Sequence, residues 1–543
     1  MGSRPGPAKR YAECPLWPPD LFAVAASLVN LSQCFTWPQY AAGWDPGYRL
    51  NDSYVRDVVR IGKEWRDATE VPNELAALWT RLIAAEASGI GPDKREHPWS
   101  EIAMRLLAIA DEAAAGIGFG GQTAFAQFLT QQHVAYLRDH ALLLPDLPYS
   151  LCMMVPVGEA SVQPKSNTPQ VGCTLRSLSH NLALLPRERN VVISWLMPMG
   201  SQQSAVRKPF NVLLVPFPYT INGSDFAGVH KAKASDDTAP LDYFSVKQNW
   251  LKNGARPVSA ASIARFLCDL IASAQREVSA VHAVVLPEAA LDTARADAVA
   301  KLIAKRNPKL EVFITGAISK SKTRSLNLAC VYRFHKRKVL ESPKQRKHHR
   351  WSLENNQICR YHLGHVLDPG VTWWEQIDVD NRAVGFYSVR EGTSLAVLVC
   401  EDLARNEPAM PSLLAVGPNL VVALLMDGPQ MERRWPGRYA TVLAEDPGSS
   451  VLTLTCLGMV SRSSMPGEAP RREIALWKQR GNDAVALRLP QPDQALLLSL
   501  TTASETQYAL DRRSDRGASR RFQLSAVRGV RLRQAHSWLR LEK

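Results

Sequence analysis

Hydrophobic positions change their rhythm twice along the 543 residues. From about 15 to 145 they recur three and four apart in Ala/Leu/Glu-rich stretches such as Val71–Ala87 and Trp99–Ala115, the period of amphipathic helices. Runs of β-branched residues are scarce there. Between about Tyr149 and Phe210 the pattern is mixed, with polar linkers at Gln163–Gln170 and Gly200–Lys208 around an expected strand at Asn190–Leu196. After 209 short apolar runs take over: Val212–Val215, Val281–Leu286, Val312–Ile314, Leu395–Cys400, Val421–Leu425 and Val451–Thr455. Helices are expected at Ser259–Ala280 and Thr293–Lys305, each between two such runs. Strands this short and apolar on both faces suit a sheet covered by other layers. Because helices thin out later in the chain, a mixed, sandwich-like α/β fold is expected rather than a purely parallel sheet. The expected organisation is a mainly helical domain over 1–150, a mixed linker or subdomain over 151–208, an α/β domain over 209–503 and an Arg-rich tail over 504–543.

Composition narrows the class. Hydrophobic residues at 46% and charged residues at 21% describe a globular chain. The net charge of +14 is uneven, since residues 511–543 alone carry +7. That points to a local basic surface rather than to a protein devoted to nucleic acid. The nine cysteines include no C-x-x-C pair and suggest a reducing compartment. The polar, Pro-rich start and the lack of an apolar run near 20 residues lead to the expectation of a cytoplasmic protein with no membrane partner.

Three strand ends carry reactive side chains. Val284-Val285-Leu286-Pro287-Glu288 ends on a carboxylate, and Leu395-Ala396-Val397-Leu398-Val399-Cys400-Glu401-Asp402 ends on a thiol followed by two acids. Gln345-Arg346-Lys347-His348 lies just past the expected strand Asn327–Phe334. Delivered to one sheet edge, a carboxylate, an ammonium and a thiol make a nucleophilic site. Each has a plainer reading. A strand cysteine is most often a core residue, Glu288 could close a turn, and Lys347 belongs to a run with seven Lys/Arg between His335 and Arg350. Lys344 is the competing lysine. Cys359-x-x-His362-x-x-His365 has ligand-type residues but not a standard zinc spacing, so no metal is expected. Gly116–Gly121 follows a helix rather than a strand and reads as a helix stop, not a phosphate loop.

In order and local sequence, the Glu288, Lys347 and Cys400 segments resemble the carbon–nitrogen hydrolase (nitrilase/amidase) superfamily. Trp435-Pro436-Gly437-Arg438, Ala444-Glu445-Asp446 and Leu457-Gly458-Met459 with Ser461 add to the resemblance, as does the first strand Asn211–Pro216. The likeness spans about 209–503. It implies an α-β-β-α sandwich and a hydrolase without cofactor, acting on an amide, carbamoyl compound or nitrile through a thioester. It also implies a homo-oligomer. By the same resemblance Glu288 is the general base, Cys400 the nucleophile, and Lys347 with the Glu401 backbone N–H the oxyanion partner. Glu354 stands as a second glutamate orienting the lysine, with Asp402 and Arg438 in supporting or substrate-binding positions. Nitrilase-like modules also occur in bacterial defence proteins. An alternative is therefore a sensing or assembly module with nucleic acid held by the basic segments. On either reading, truncation after about Ala503 is expected to spare the α/β core.

Overall fold

The computed structural model describes residues 13–36, 52–85, 98–119, 150–169, 172–185, 191–196, 209–229, 241–322, 324–340, 344–390, 392–464 and 469–541. Two separate hydrophobic cores organise them.

The first core belongs to four helices, Pro18–Ser32, Asp52–Asp67, Asn73–Ala84 and Pro98–Ala113. The last of these packs against the other three. Leu21, Phe22, Trp65, Trp79 and Leu107 fill the space between them. The helical expectation over 120–149 falls outside the described residues.

The second core lies between two sheets. The first runs in the order Lys338–Leu340, Ser325–His335, Val312–Lys320, Ala283–Val285, Phe210–Leu214, Ala495–Glu505, Ser519–Val530. Its three middle strands are parallel. The second sheet runs Val485–Arg488, Glu473–Lys478, Ser450–Thr455, Leu420–Leu425, Thr393–Val399, Ala383–Arg390, Val192–Leu196. Every residue of Thr393–Val399, Leu420–Leu425 and Ser450–Thr455 is buried, as strands covered on both faces must be. The helices Ala260–Ala274 and Thr293–Arg306 pack on each other, the latter also against the first sheet, and Trp435–Glu445 packs on the second. Ser259 and Asp292 cap the first pair, accepting the backbone N–H of Ser262 and Arg295. Gln345 stitches the sheets together: its Nε2 donates to the Val397 carbonyl at 2.8 Å and its Oε1 accepts the Gly385 N–H. The domain is thus a mixed α/β sandwich, helices outside and two sheets within. No helix among the described residues is long and apolar enough to cross a membrane.

Two expectations change. The described residues of 151–208 divide between the two cores. Leu151, Val162, Leu178 and Leu182 complete the helical core, whereas Val192–Leu196 is an edge strand of the second sheet. The Arg-rich segment is not a tail. Ser519–Val530 pairs along its length with Ala495–Glu505, and Phe522 and Val530 are buried in the sandwich core. The loop between those strands enters the helical domain. There the fully buried Arg513 meets Asp511, Asp111 and Glu112 at 2.7, 3.0 and 3.4 Å. Arg516 and Arg521 also pair with carboxylates, Glu112 and Glu505. Of these arginines Arg513 is the buried one, while Arg528, Arg531 and Arg533 stay exposed, and truncation at 503 removes part of both cores.

Candidate active site

The segment after Ala283–Val285 leaves the sheet for five residues and rejoins it at Leu291–Asp292, which pairs with Val312–Lys320. Glu288 sits on that excursion. The chain there lies flat on Gly316, whose N–H donates to the Pro287 carbonyl at 3.0 Å. A Cβ at Gly316 would stand 2.4 Å from the Glu288 Cα, so only glycine admits this path. Ala289 next door takes a left-handed φ of 56°.

Lys347 follows the two-residue strand Gln345–Arg346, which pairs with Ser325–His335. Its N–H donates to the Asn327 carbonyl. Asp402 then receives the backbone N–H groups of His348 and His349 at 3.0 and 3.1 Å, fixing the turn that carries the lysine. Cys400 ends Thr393–Val399 with φ at 47°, a conformation that costs an L-residue about 1–3 kcal/mol and is concentrated at functional sites.

The side chains converge. Lys347 Nζ, fully buried, donates to Glu288 Oε1 at 2.8 Å and to Glu375 Oε2 at 2.7 Å. Asn327 Nδ2 bridges the same carboxylates at 2.7 and 2.8 Å. Glu288 Oε2 is buried and has no hydrogen-bond partner among the described residues. Burial is the largest influence on the Cys400 thiol and pushes it well above its ordinary range; Glu288 adds to this and Lys347 opposes it. Burial likewise raises Glu288, against Lys347 and with Glu375. Burial disfavours the Lys347 ammonium, but the two carboxylates outweigh it and hold the lysine charged. Burial takes His348 down to about 4, so the neighbouring cation is Lys347 and not the imidazole. The resting pair is a protonated thiol beside a carboxyl whose proton affinity lies above the usual range.

The other expected residues fall in different places. Lys344 is exposed and pairs with Asp297 at 2.7 Å, so Lys347 is the lysine at the site. Glu354 is exposed and caps the short helix Asn355–Arg360. The second carboxylate on Lys347 is Glu375, at the end of Thr372–Glu375, held by the Trp351 N–H at 3.2 Å. The Glu401 side chain pairs with Arg405 at 2.9 Å. Arg438 is exposed on its helix. The arginine turned inward is Arg434, which donates to Asp427 at 2.9 Å. Tyr361 donates its hydroxyl to the same Asp427 oxygen. Asn327, Glu375 and Asp427 carry no local motif; only the fold brings them here. Among the described residues no group of three or more His, Cys, Asp or Glu is placed to hold a metal ion. Cys359 donates to Asn355, and His362 lies 3.5 Å from the Ser464 carbonyl.

No protein-family model and no curated protein matches the chain. Among solved structures it is similar to nitrilase-superfamily folds. Nit3 of Saccharomyces cerevisiae matches at 12% identity over 54% of this chain and 90% of that one, TM-score 0.32. An amidase from Nesterenkonia sp. matches at 13% over 54% and 91%, TM-score 0.33. A glutamine-dependent NAD+ synthetase from Acinetobacter baumannii matches at 10% over 60% of this chain, TM-score 0.32, and this chain spans 49% of that one.

Proposed function

We propose that the protein is a cysteine-dependent hydrolase of non-peptide carbon–nitrogen bonds, with Cys400 as nucleophile, Glu288 as acid and base, and Lys347 as the oxyanion partner. One observation carries this reading. A buried thiol on a strained strand end lies within the field of Glu288 and of a buried lysine pinned by two carboxylates, one of which keeps a bare oxygen among the described residues.

A protonated thiol needs a base within the site. Glu288 takes the Cys400 proton as sulfur attacks the carbonyl carbon of an amide or carbamoyl group. The C–O π electrons move to oxygen. An ammonium has three N–H donors and Lys347 gives two to carboxylates, which leaves the third for that oxygen. The Glu401 N–H opens the turn Cys400–Ala404, where the first N–H groups have no partner within the turn, and supplies a second donor. Glu288 then passes its proton to the departing nitrogen, the C–N bond breaks and a thioester remains. Water, losing a proton to Glu288, attacks the thioester. The carboxylic acid leaves and the sulfur recovers the proton. A nitrile enters the same cycle by adding the thiol across its triple bond. Asp402 and Glu375 are positioning residues, acting through the Lys347 turn and the Lys347 ammonium.

The test is ammonia release from a panel of primary amides, N-carbamoyl compounds and nitriles, with hydroxylamine present to capture the thioester as a hydroxamate. Hydroxamate formation by the wild-type protein and its loss in Cys400→Ala and Glu288→Gln are expected. Turnover that survives Cys400→Ala would overturn the proposal.

A further inference from the structure

Cys400, Asp427 and Cys456 follow three neighbouring parallel strands, Thr393–Val399, Leu420–Leu425 and Ser450–Thr455. The register pairs Val399 with Leu424 and Leu425 with Thr455, so all three side chains leave the sheet at one edge. Asp427 lies one strand over from Cys400 and two residues further along. With strands about 4.8 Å apart and about 3.3 Å per residue, that places it roughly 8 Å from the thiol residue, Cα to Cα. Ligands of open α/β sheets bind at this kind of edge.

Asp427 is held firmly and used only in part. Its N–H donates to Thr455 Oγ1 at 3.0 Å, and its carbonyl accepts the Thr455 hydroxyl. Oδ1 accepts from Tyr361 and from Arg434, which also donates to the Pro429 carbonyl. Oδ2 is buried with no partner among the described residues, on a residue only 5% exposed. A carboxylate oxygen without a donor is costly to bury and calls for one. Its field reaches the Cys400 and Cys456 thiols, as does that of Glu288. The described charges around this strand edge are thus Glu288, Glu375 and Asp427 against Lys347 and Arg434, with Lys347 committed to the reacting oxygen. Among the described residues named here, both cations already donate to carboxylates, Lys347 to Glu288 and Glu375 and Arg434 to Asp427.

Resting on the hydrolase reading above, we propose that Asp427 Oδ2 is a specificity contact, receiving an alkylammonium or amidinium group carried two or three carbons from the reacting carbon. The substrate class is then basic amides, with acidic amides excluded.

The test uses the full-length protein and three haloacetamides of matched length: N-(2-aminoethyl)-2-chloroacetamide, its neutral isostere N-propyl-2-chloroacetamide, and chloroacetyl-β-alanine. Alkylation of Cys400 is followed by peptide mass, and each rate is divided by that for glutathione. In the wild-type protein the cationic probe is expected to react about tenfold faster than the neutral one, the scale of a charged hydrogen bond, with the acidic probe slowest. In Asp427→Asn the cationic-to-neutral ratio is expected to fall toward one. A wild-type ratio near one overturns the proposal without any variant, and so does a ratio that Asp427→Asn leaves unchanged. Failure of all three probes at Cys400, while the exposed Cys173 and Cys359 react, overturns the hydrolase reading beneath it.

Discussion

Replacing Glu375 by Gln removes one negative charge from beside Lys347 and keeps an oxygen to accept its hydrogen bond. Asn327 Nδ2 touches one oxygen of Glu288 at 2.7 Å and one of Glu375 at 2.8 Å, so those oxygens are no more than about 5.5 Å apart. Two unit charges at that distance repel by about 3 kcal/mol at an effective dielectric of about 20. Burial raises Glu288 first and the Glu375 charge raises it further. A base works only when deprotonated, so the reaction fades as pH falls through the raised Glu288 value. Without the Glu375 charge that value drops, and the acid limb should move to lower pH. The assay is the pH dependence of Cys400 alkylation by iodoacetamide, read by intact mass, which needs no known substrate. An acid limb that stays in place, or moves up, would refute the argument that these two carboxylates compete for one cation.

Lys347→Met should cut turnover by about a hundredfold or more, as loss of an oxyanion donor does. Lys344→Met, which breaks only an exposed pair with Asp297, should stay within a few-fold of wild type in the same assay. Arg513→Met takes the guanidinium from Asp511 and Asp111 at the junction with the helical domain, leaving Glu112 to Arg516, and should cost about 3–5 kcal/mol in urea unfolding. Burial opposes the Asp111 charge, but Arg513, His180 and the backbone N–H groups of His180 and Asn181 together outweigh it, so the folded carboxyl lies below its unfolded value. The stability it contributes is present above the unfolded value and lost as pH falls through the folded one. The wild-type minus Arg513→Met difference should accordingly shrink in acid; a difference that persists unchanged there would count against the ion-pair account.

The sandwich was readable because its strands are apolar on both faces and end on Glu288 and Cys400, residues that stand out at strand ends. Lys347 was readable from its neighbours, although charge alone could not separate it from Lys344; burial does. Glu375 was hidden because Thr-Trp-Trp-Glu has no motif, and nearness in sequence favoured Glu354 instead. Arg434 and Arg438 lie one helical turn apart at the start of the same helix, and only packing decides which turns inward. The last strand was obscured by its arginines. Yet Phe522, Leu524 and Ala526 alternate with the exposed Gln523, Ser525 and Val527, the period-two signal of a half-buried strand.

The Arg513 contact also sets an order on synthesis. Asp111 bonds Arg513 across 402 positions of sequence. While the chain is being made, the four-helix unit holds Asp111 and Glu112 at buried sites with no guanidinium to meet them. It can collapse, but it cannot reach its final stability until residue 516 has left the ribosome. The helical unit is thus made long before the residue that locks it, and a nascent chain released early leaves Asp111 and Glu112 without their arginines.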